Sequence, residues 1–591
     1  MKNLYSNTKK TLKLIYDLEK KNLIVILLLS LLVSVVPLLT TYLSQELLNS
    51  IVAHQVLNRV MVLLIAFVSF TVGSEIVGQI SAIFEQKLQV NLVYKLNKII
   101  MNACGDMKLK DFENSETYNQ IERINGQIAF KPSQSLDMTI NLMKTMITLI
   151  GSIIFLSMWS WKMALLLTLV PLTSIYYYIQ IGKREFNIQY QRMEDERESW
   201  YLNYILTHDF SFKEVKFYDL KEYIINKFSR IKENFIKQDM DLLYQKSKLS
   251  ILFEVGVQII GAIVLFVAIT AAYSGTILVG NVVSIIKVTS MIQSSSKGVM
   301  TSIYALYNNN LYMEKLFEFI EEFVQVENEE VLIPDNTEIT DIHDIEFKKV
   351  SYHYPETQSL ALKKVDLTLH AGERVAIVGP NGSGKSTLIK VLTKLYENSE
   401  GEILVDGVPL REIEETRYKQ QLSVLFQDFV KYELPLQENI GFGDIQNISD
   451  TEIMKTCMRE LNIDFLDEED LNQQLGIWFE NGRQLSGGQW QKVALARSFF
   501  KKASVYILDE PSSALDPISE KEVFDSFYEK TKGKIGIFIS HRILAAQNAD
   551  KIIVMDKGEI VDIGTHAHLM KNCRLYQEME RAESYEEYFA A

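Results

Sequence analysis

Between Asn22 and Gln45 the chain runs 24 residues without a charge, through LIVILLLSLLVSVVPLL. A helix of that length rises about 36 Å and spans a hydrocarbon layer of about 30 Å. Cleaved signal peptides have shorter apolar cores and a small-residue cleavage site, so the stretch reads as a membrane span. Five further apolar runs follow, at about 59–84, 139–160, 162–182, 251–273 and 281–304. Six spans is the natural count, and nearly all the long apolar runs lie before residue 305.

Residues 1–21 hold six lysines against Asp17 and Glu19, which predicts a cytoplasmic N-terminus in a multi-pass plasma-membrane protein. The loops at 85–138 and 183–250 are long, polar and internal by that count, whereas the outer turns are short. The membrane helices are therefore expected to continue well beyond the bilayer. Glu75, Lys144, Glu254 and Lys297 interrupt the apolar runs and cluster toward the cytoplasmic third. Counted from the outer ends of their spans, Glu75, Lys144 and Lys297 lie about 24 Å deep. Such residues line a polar substrate cavity, or pair between helices, or snorkel to the inner interface. Lys287, nearer the outside, is expected to snorkel.

After a charged connector at about 313–340 the pattern changes to short β-branched strands and glycine turns. RVAIVGPNGSGKSTLIKVL reads as strand, loop and helix, and Gly379, Gly384, Lys385 and Ser386 satisfy GxxxxGK[ST], the phosphate-binding P-loop. In PNGSGKST, backbone N–H groups around Gly382, Ser383 and Gly384 turn toward one anion, and the following helix adds its positive end. Lys385 is expected on the β/γ-phosphates and the Ser386 hydroxyl on magnesium; Asn381 and Thr387 complete the cradle. Downstream, SVYILDEP ends an apolar strand in two carboxylates. Asp509 is placed to hold magnesium and Glu510 to polarise the attacking water. A net charge of −14 argues against a nucleic-acid binder. Cys104, Cys457 and Cys573 lie too far apart for a thiolate metal site.

On these motifs, together with LSGGQ at 485–489, the chain resembles the ATP-binding cassette family. The resemblance implies that Ser486, Gly487, Gly488 and Gln489 cap the γ-phosphate of ATP held by the P-loop of an opposite subunit, which requires a dimer. It further implies adenine stacking by Tyr354 (with Tyr352 the neighbouring competitor) and sensing of magnesium and water by Gln427. A partner-facing loop at Asp516 and a γ-phosphate contact from His541 complete the set. The catalytic group is then Glu510, His541 and Gln427; Mg²⁺ is held by Ser386, Gln427 and Asp509, partly through water. The implied architecture is an all-α six-helix transmembrane domain at 1–330, followed by an α/β P-loop nucleotide-binding domain at 341–591, the type I exporter layout. Loop helices at 114–124 and 211–223 are expected to press on the cassettes. Both halves of the composite ATP site are intact in this chain, so a homodimer suffices, and a heterodimer stays open.

The stretch FENGRQLSGGQWQKVALAR, with Trp490, shares only Glu480 and Gly482 with the loop of multidrug and lipid exporters, and resembles lantibiotic and bacteriocin peptide exporters more. A lysine-, isoleucine- and asparagine-rich composition fits a low-GC bacterial host. The 21 residues before the first span hold no cysteine or histidine, so a fused cysteine-protease domain is not expected. Leader removal and peptide modification then fall to separate enzymes. Export of a ribosomal peptide is the first reading, export of a drug or lipid the alternative, and a non-transporting ATP-gated sensor the third.

Overall fold

In the computed structural model the described residues are 2–114, 117, 121, 130–323, 340–355, 357, 359–540 and 542–590. They divide into two units: Met1–Met107 with Ser115–Gln325, and Lys108–Asn114 with Val326–Ala591.

The first unit is helical: α1 (Lys2–Val52), α2 (Leu57–Asp106), α4 (Lys131–Gln191), α5 (Met193–Thr207), α6 (Asp209–Phe217), α7 (Lys221–Tyr273) and α8 (Val279–Phe323). The five-residue α3 (Leu109–Glu113) belongs to the second unit. Among the described residues four helices are long and apolar enough to cross a membrane: Ser6–Val52, Leu57–Asp106, Lys131–Gln191 and Lys221–Tyr273. The 61-residue α4 holds both the third and fourth candidate spans and leaves helical geometry between them at Ser160 (φ −153°, ψ 103°). The sixth candidate, 281–304, lies on α8, and Lys287, Lys297 and the Gln293–Ser296 run lower its apolarity. α1 breaks at Glu19 (φ −140°, ψ 44°), which separates the lysine-rich leader from the uncharged run, and Glu19 pairs with Lys95 at 2.7 Å.

The charges that interrupt the apolar runs are mostly paired. Lys144 meets Glu85 at 2.9 Å and Lys297 meets Glu254 at 2.6 Å, while Glu75 accepts from Gln79. Lys287, expected to snorkel, donates its Nζ to Ser44 Oγ on α1 at 3.2 Å. Beyond the apolar zone Arg192, almost fully buried, ties the α4–α5 junction to α7 through Gln238, Asp239 and the Phe235 carbonyl. Of the segment 114–124 only residues 114, 117 and 121 are described. The helix expected over 211–223 instead spans 209–217, because the chain turns at Asp219 (φ 49°) before α7 begins. Phe210, Phe212 and Phe217 on α6 are exposed.

The second unit carries two sheets. One has the order β2-β1-β4-β5, from β1 (Asp344–His353), β2 (Leu360–His370), β4 (Glu400–Val405) and β5 (Val408–Pro409), all antiparallel. The other runs β10-β9-β3-β8-β7-β6, from β3 (Arg374–Val378), β6 (Leu422–Leu425), β7 (Val505–Asp509), β8 (Ile535–Ile539), β9 (Lys551–Asp556) and β10 (Glu559–Gly564). All its neighbours are parallel except β10 on β9. β7 and β8 are buried at every residue, which explains their unbroken apolar runs: both faces are covered. Ile507 and Ile537 pack into one core, Leu508 and Phe538 into the other. Such a sheet places loops with chemistry at the C-terminal ends of its parallel strands.

Candidate functional site

Three strand ends meet as that rule requires. The loop after β3 leads into α9 (Lys385–Leu392), the loop after β6 carries Gln427, and β7 ends at Asp509. Gly379, at the end of β3, has φ +155°, and a Cβ there would lie 2.2 Å from the Met555 carbonyl oxygen, so only glycine passes. Gly384 is the left-handed N-cap of α9 (φ +103°) and Gly382 is also left-handed. Lys385 folds back over this loop, donating to the carbonyls of Gly379 at 2.8 Å and Pro380 at 3.1 Å. Burial lowers its pKa, and the nearby Glu510 and Asp509 carboxylates act against that. Thr387 is buried and shares a 2.9 Å hydrogen bond with the Tyr354 hydroxyl.

Asp509 is buried, which pushes its carboxyl up to about 6; a hydrogen bond from Ser386 and the charge of Lys385 pull the other way, and Glu510 adds to the rise. Its Oδ1 is buried with no hydrogen-bond partner. An orphaned carboxylate oxygen beside a serine hydroxyl is the hard-oxygen set that Mg²⁺ prefers, so these residues fit that ion. Glu510 follows in the left-handed region (φ 51°), a costly conformation for a side chain of its size. Its Oε2 accepts from Gln427 Nε2 at 2.8 Å, which brings two of the predicted residues together. His541 lies outside the described residues.

The two candidate tyrosines differ in burial. Tyr352 is in the core, stacked on Tyr396 with ring centroids 4.9 Å apart, whereas Tyr354 is part-exposed at the P-loop side. Tyr396 in turn donates to Glu113 of α3, and Lys108 pairs with Glu397 at 2.6 Å.

LSGGQ forms the start of α12 (Gly487–Phe500; α10, Leu436–Gly441, and α11, Thr451–Glu460, precede it). The helix begins at Gly487 and runs on through VALARSF. Ser486 is its N-cap in a capping box: its Oγ accepts from Gln489 N, and Gln489 Oε1 accepts from Ser486 N at 2.9 Å. Gln489, expected at the nucleotide, thus spends its side chain on the helix start. Ser486 keeps its own O–H to donate, and Ser486 and Gly487 are exposed. At Gly488 a Cβ would lie 2.7 Å from the Ala514 carbonyl oxygen, so the loop after β7 needs that glycine. Asp516 caps α13 (Pro517–Lys530), accepting from Ile518 N and Ser519 N at 3.0 Å each.

Sequence reading overlooked Gln491. Fully buried on α12, it donates to the carbonyl of Glu510 at 3.2 Å and to Ser513 Oγ at 3.3 Å, and accepts from Ala514 N at 3.0 Å. A polar residue flanked by the buried Trp490 and Val493 was the available signal. Arg497, on the same helix, bonds the carbonyls of Val430 and Asn439 and so ties the chain after Gln427 to α12. Gln491→Leu leaves buried polar groups of the Glu510–Ala514 loop unpaired, at a cost of about 1–3 kcal/mol. The expected result is a lower melting temperature and about a tenfold loss of ATP turnover with little change in KM, checked by thermal denaturation and steady-state kinetics.

Residues 362–513 match the ABC transporter family model. The subtilin transport ATP-binding protein of Bacillus subtilis is 48% identical over 583 residues, 98% of this chain and 94% of that protein. The nisin transport ATP-binding protein of Lactococcus lactis subsp. lactis is 40% identical over 584 residues, 98% and 96% of the two chains. An ATP-dependent lipid A-core flippase of Hahella chejuensis is 24% identical over 508 residues, 85% and 84%. A solved bacterial Atm1-family ABC exporter with ATP bound superposes with a TM-score of 0.77 at 19% identity, covering 95% of this chain and 98% of that one.

Proposed function

Because the chain belongs to the ABC transporter family, as an exporter half-transporter that couples ATP hydrolysis to export, we propose that its cargo is a ribosomal peptide of the lantibiotic type. The observation that carries this is identity of 48% and 40% over nearly the whole chain to proteins named for transport of the lantibiotics subtilin and nisin. The lipid A-core flippase, at 24% over a shorter stretch, resembles it less.

The functional unit in this reading is a homodimer with its nucleotide-binding units in the cytoplasm and two shared ATP sites. Each site takes the triphosphate on the Gly379–Thr387 loop and Lys385, the adenine against Tyr354, and the γ-phosphate against Ser486 and Gly487 of the partner subunit. Ser386 and Asp509 would hold Mg²⁺, which would supply charge neutralisation at the phosphates. Glu510, held by Gln427, accepts the proton of the attacking water. The Gln427–Glu510 bond and the orphaned Asp509 oxygen support these assignments; His541 keeps its role from the family pattern alone.

ATP favours the closed dimer only through its higher affinity for that state, and loss of the γ-phosphate removes the group shared between subunits. The test compares a host carrying this protein with one carrying Glu510→Gln, by mass spectrometry of medium and cells. A peptide that leaves the medium and accumulates inside is the expected result. An unchanged peptide profile defeats the proposal and turns attention to lipids and drugs.

A further inference from the structure

The helix α16 (Arg574–Ala590) follows every nucleotide motif in the chain, with α14 (Ile543–Ala546) and α15 (His566–Asn572) before it. One face of α16 belongs to the core. Tyr576 is fully buried and shares a 2.9 Å hydrogen bond with His566 Nδ1. Leu575 and Met579 pack against the core cluster that also holds Ile543 and Ala546. From Tyr576 through Met579, the spacing i, i+3, i+7 puts the half-buried Glu583 on that same face. A carboxylate where an apolar side chain would pack needs a partner.

That partner is a main-chain amide. Glu583 Oε2 accepts from Ile543 N at 2.6 Å, across 40 residues of sequence. Ile543 is 1% exposed, so its N–H is shut off from water and requires an acceptor within the protein. An ionised acceptor makes such a bond shorter and roughly twice as strong as a neutral one.

The neighbours of this amide show what the bond controls. Ile543 stands two positions after His541, and the segment is held at three points. Arg542 N donates to Ser540 Oγ at 2.9 Å, and that hydroxyl donates to the Arg542 carbonyl at 3.1 Å. The two residues that flank His541 in sequence are thereby joined to each other. The Arg542 guanidinium pairs with Glu520 in the first turn of α13, the helix that Asp516 caps. Glu583 supplies the third hold, and it alone comes from a helix that carries no nucleotide motif.

We infer that Glu583 is a positioning residue for ATP hydrolysis: it fixes the Ser540–Ile543 segment so that His541 meets the γ-phosphate. The inference rests on the reading of His541 as the γ-phosphate contact, and it gives α16 a part in turnover. Glu583 moves no proton in the reaction; it acts through the backbone of Ile543.

The test uses the full-length protein in proteoliposomes, with steady-state ATP hydrolysis and thermal denaturation as readouts. Glu583→Ala removes the acceptor and is expected to lower kcat about tenfold, with KM for ATP changed by less than about twofold. Glu583→Gln keeps an acceptor oxygen at the same reach and should stay within about threefold of the parent. Glu583→Asp keeps the charge but withdraws it by one carbon–carbon bond, and should lose more than Glu583→Gln at an unchanged melting temperature. A carboxylate that only stabilised the fold by its charge would give the opposite order. The decisive step adds His541→Ala, which alone should lower turnover at least about tenfold. In that background Glu583→Ala should lower it no further, because the two residues act as a unit. Losses that multiply in the double variant, or full turnover in Glu583→Ala, overturn the positioning role and leave His541 in place. Full turnover in His541→Ala overturns the reading of His541, and the positioning role falls with it. If Glu583→Ala fails to fold, Glu583→Asp takes its place in the same comparison with His541→Ala.

Discussion

Glu510→Gln is expected to bind ATP about as tightly as the parent and to lose at least a hundredfold in steady hydrolysis. The substitution keeps the shape of the side chain and can keep a hydrogen bond to Gln427, now 2.8 Å from the carboxylate. What it removes is the capacity to take a proton, and a positioned general base contributes roughly 10²–10⁴ in rate. In the proposed site the ATP contacts lie on the P-loop and Lys385, so affinity should change little. If ATP closes the dimer by differential affinity and hydrolysis opens it, the variant should collect in the closed form. Two measurements decide this: the turnover rate, and the distance between spin labels on the two nucleotide-binding units with ATP present. Turnover above a tenth of the parent rate removes Glu510 from its assigned role. Normal inhibition without closure would keep the base and discard the cycle.

Legibility in this chain followed the range of the interactions. The uncharged run at 22–45 and the P-loop were plain because each is set by local physics: helix length against bilayer thickness, and glycines where the backbone must be left-handed or nearly touches a carbonyl. The Gln427–Glu510 contact was anticipated only through the family pattern, since 83 residues separate the two. Gln491 was missed for the opposite reason. It sits next to a motif rich in recognised residues, and its purpose appears only when the loop after β7 is brought over α12. The Lys287–Ser44 hydrogen bond was not legible in the sequence, because 243 residues separate the two. Gln489 shows a further limit: the capping box that takes its side chain was readable from SGGQ, yet the motif's association with nucleotide hid the simpler local use.

Gly487→Asp should silence hydrolysis without harming the fold, and it isolates the role of the LSGGQ segment more cleanly than any deletion. A Cβ at Gly487 meets only the Ala514 Cβ, at 3.8 Å, so there is room for the new side chain. The residue is exposed and opens α12, where a carboxylate interacts favourably with the helix dipole by about 0.3–1 kcal/mol. The isolated subunit should therefore melt no lower than the parent, and its own P-loop should still take ATP. In the dimer the same carboxylate would face the γ-phosphate held by the opposite subunit. Two like charges about 4 Å apart repel by about 4 kcal/mol at an effective dielectric of about 20, roughly a thousandfold. The expected loss of turnover is at least a hundredfold. Gly487→Asn, nearly the same size without the charge, should lose far less, and salt should partly restore the aspartate variant through screening. Equal losses in the two variants would make the effect steric. Full activity in Gly487→Asp would mean that this helix start does not meet the triphosphate, and the shared-site dimer would have to be abandoned.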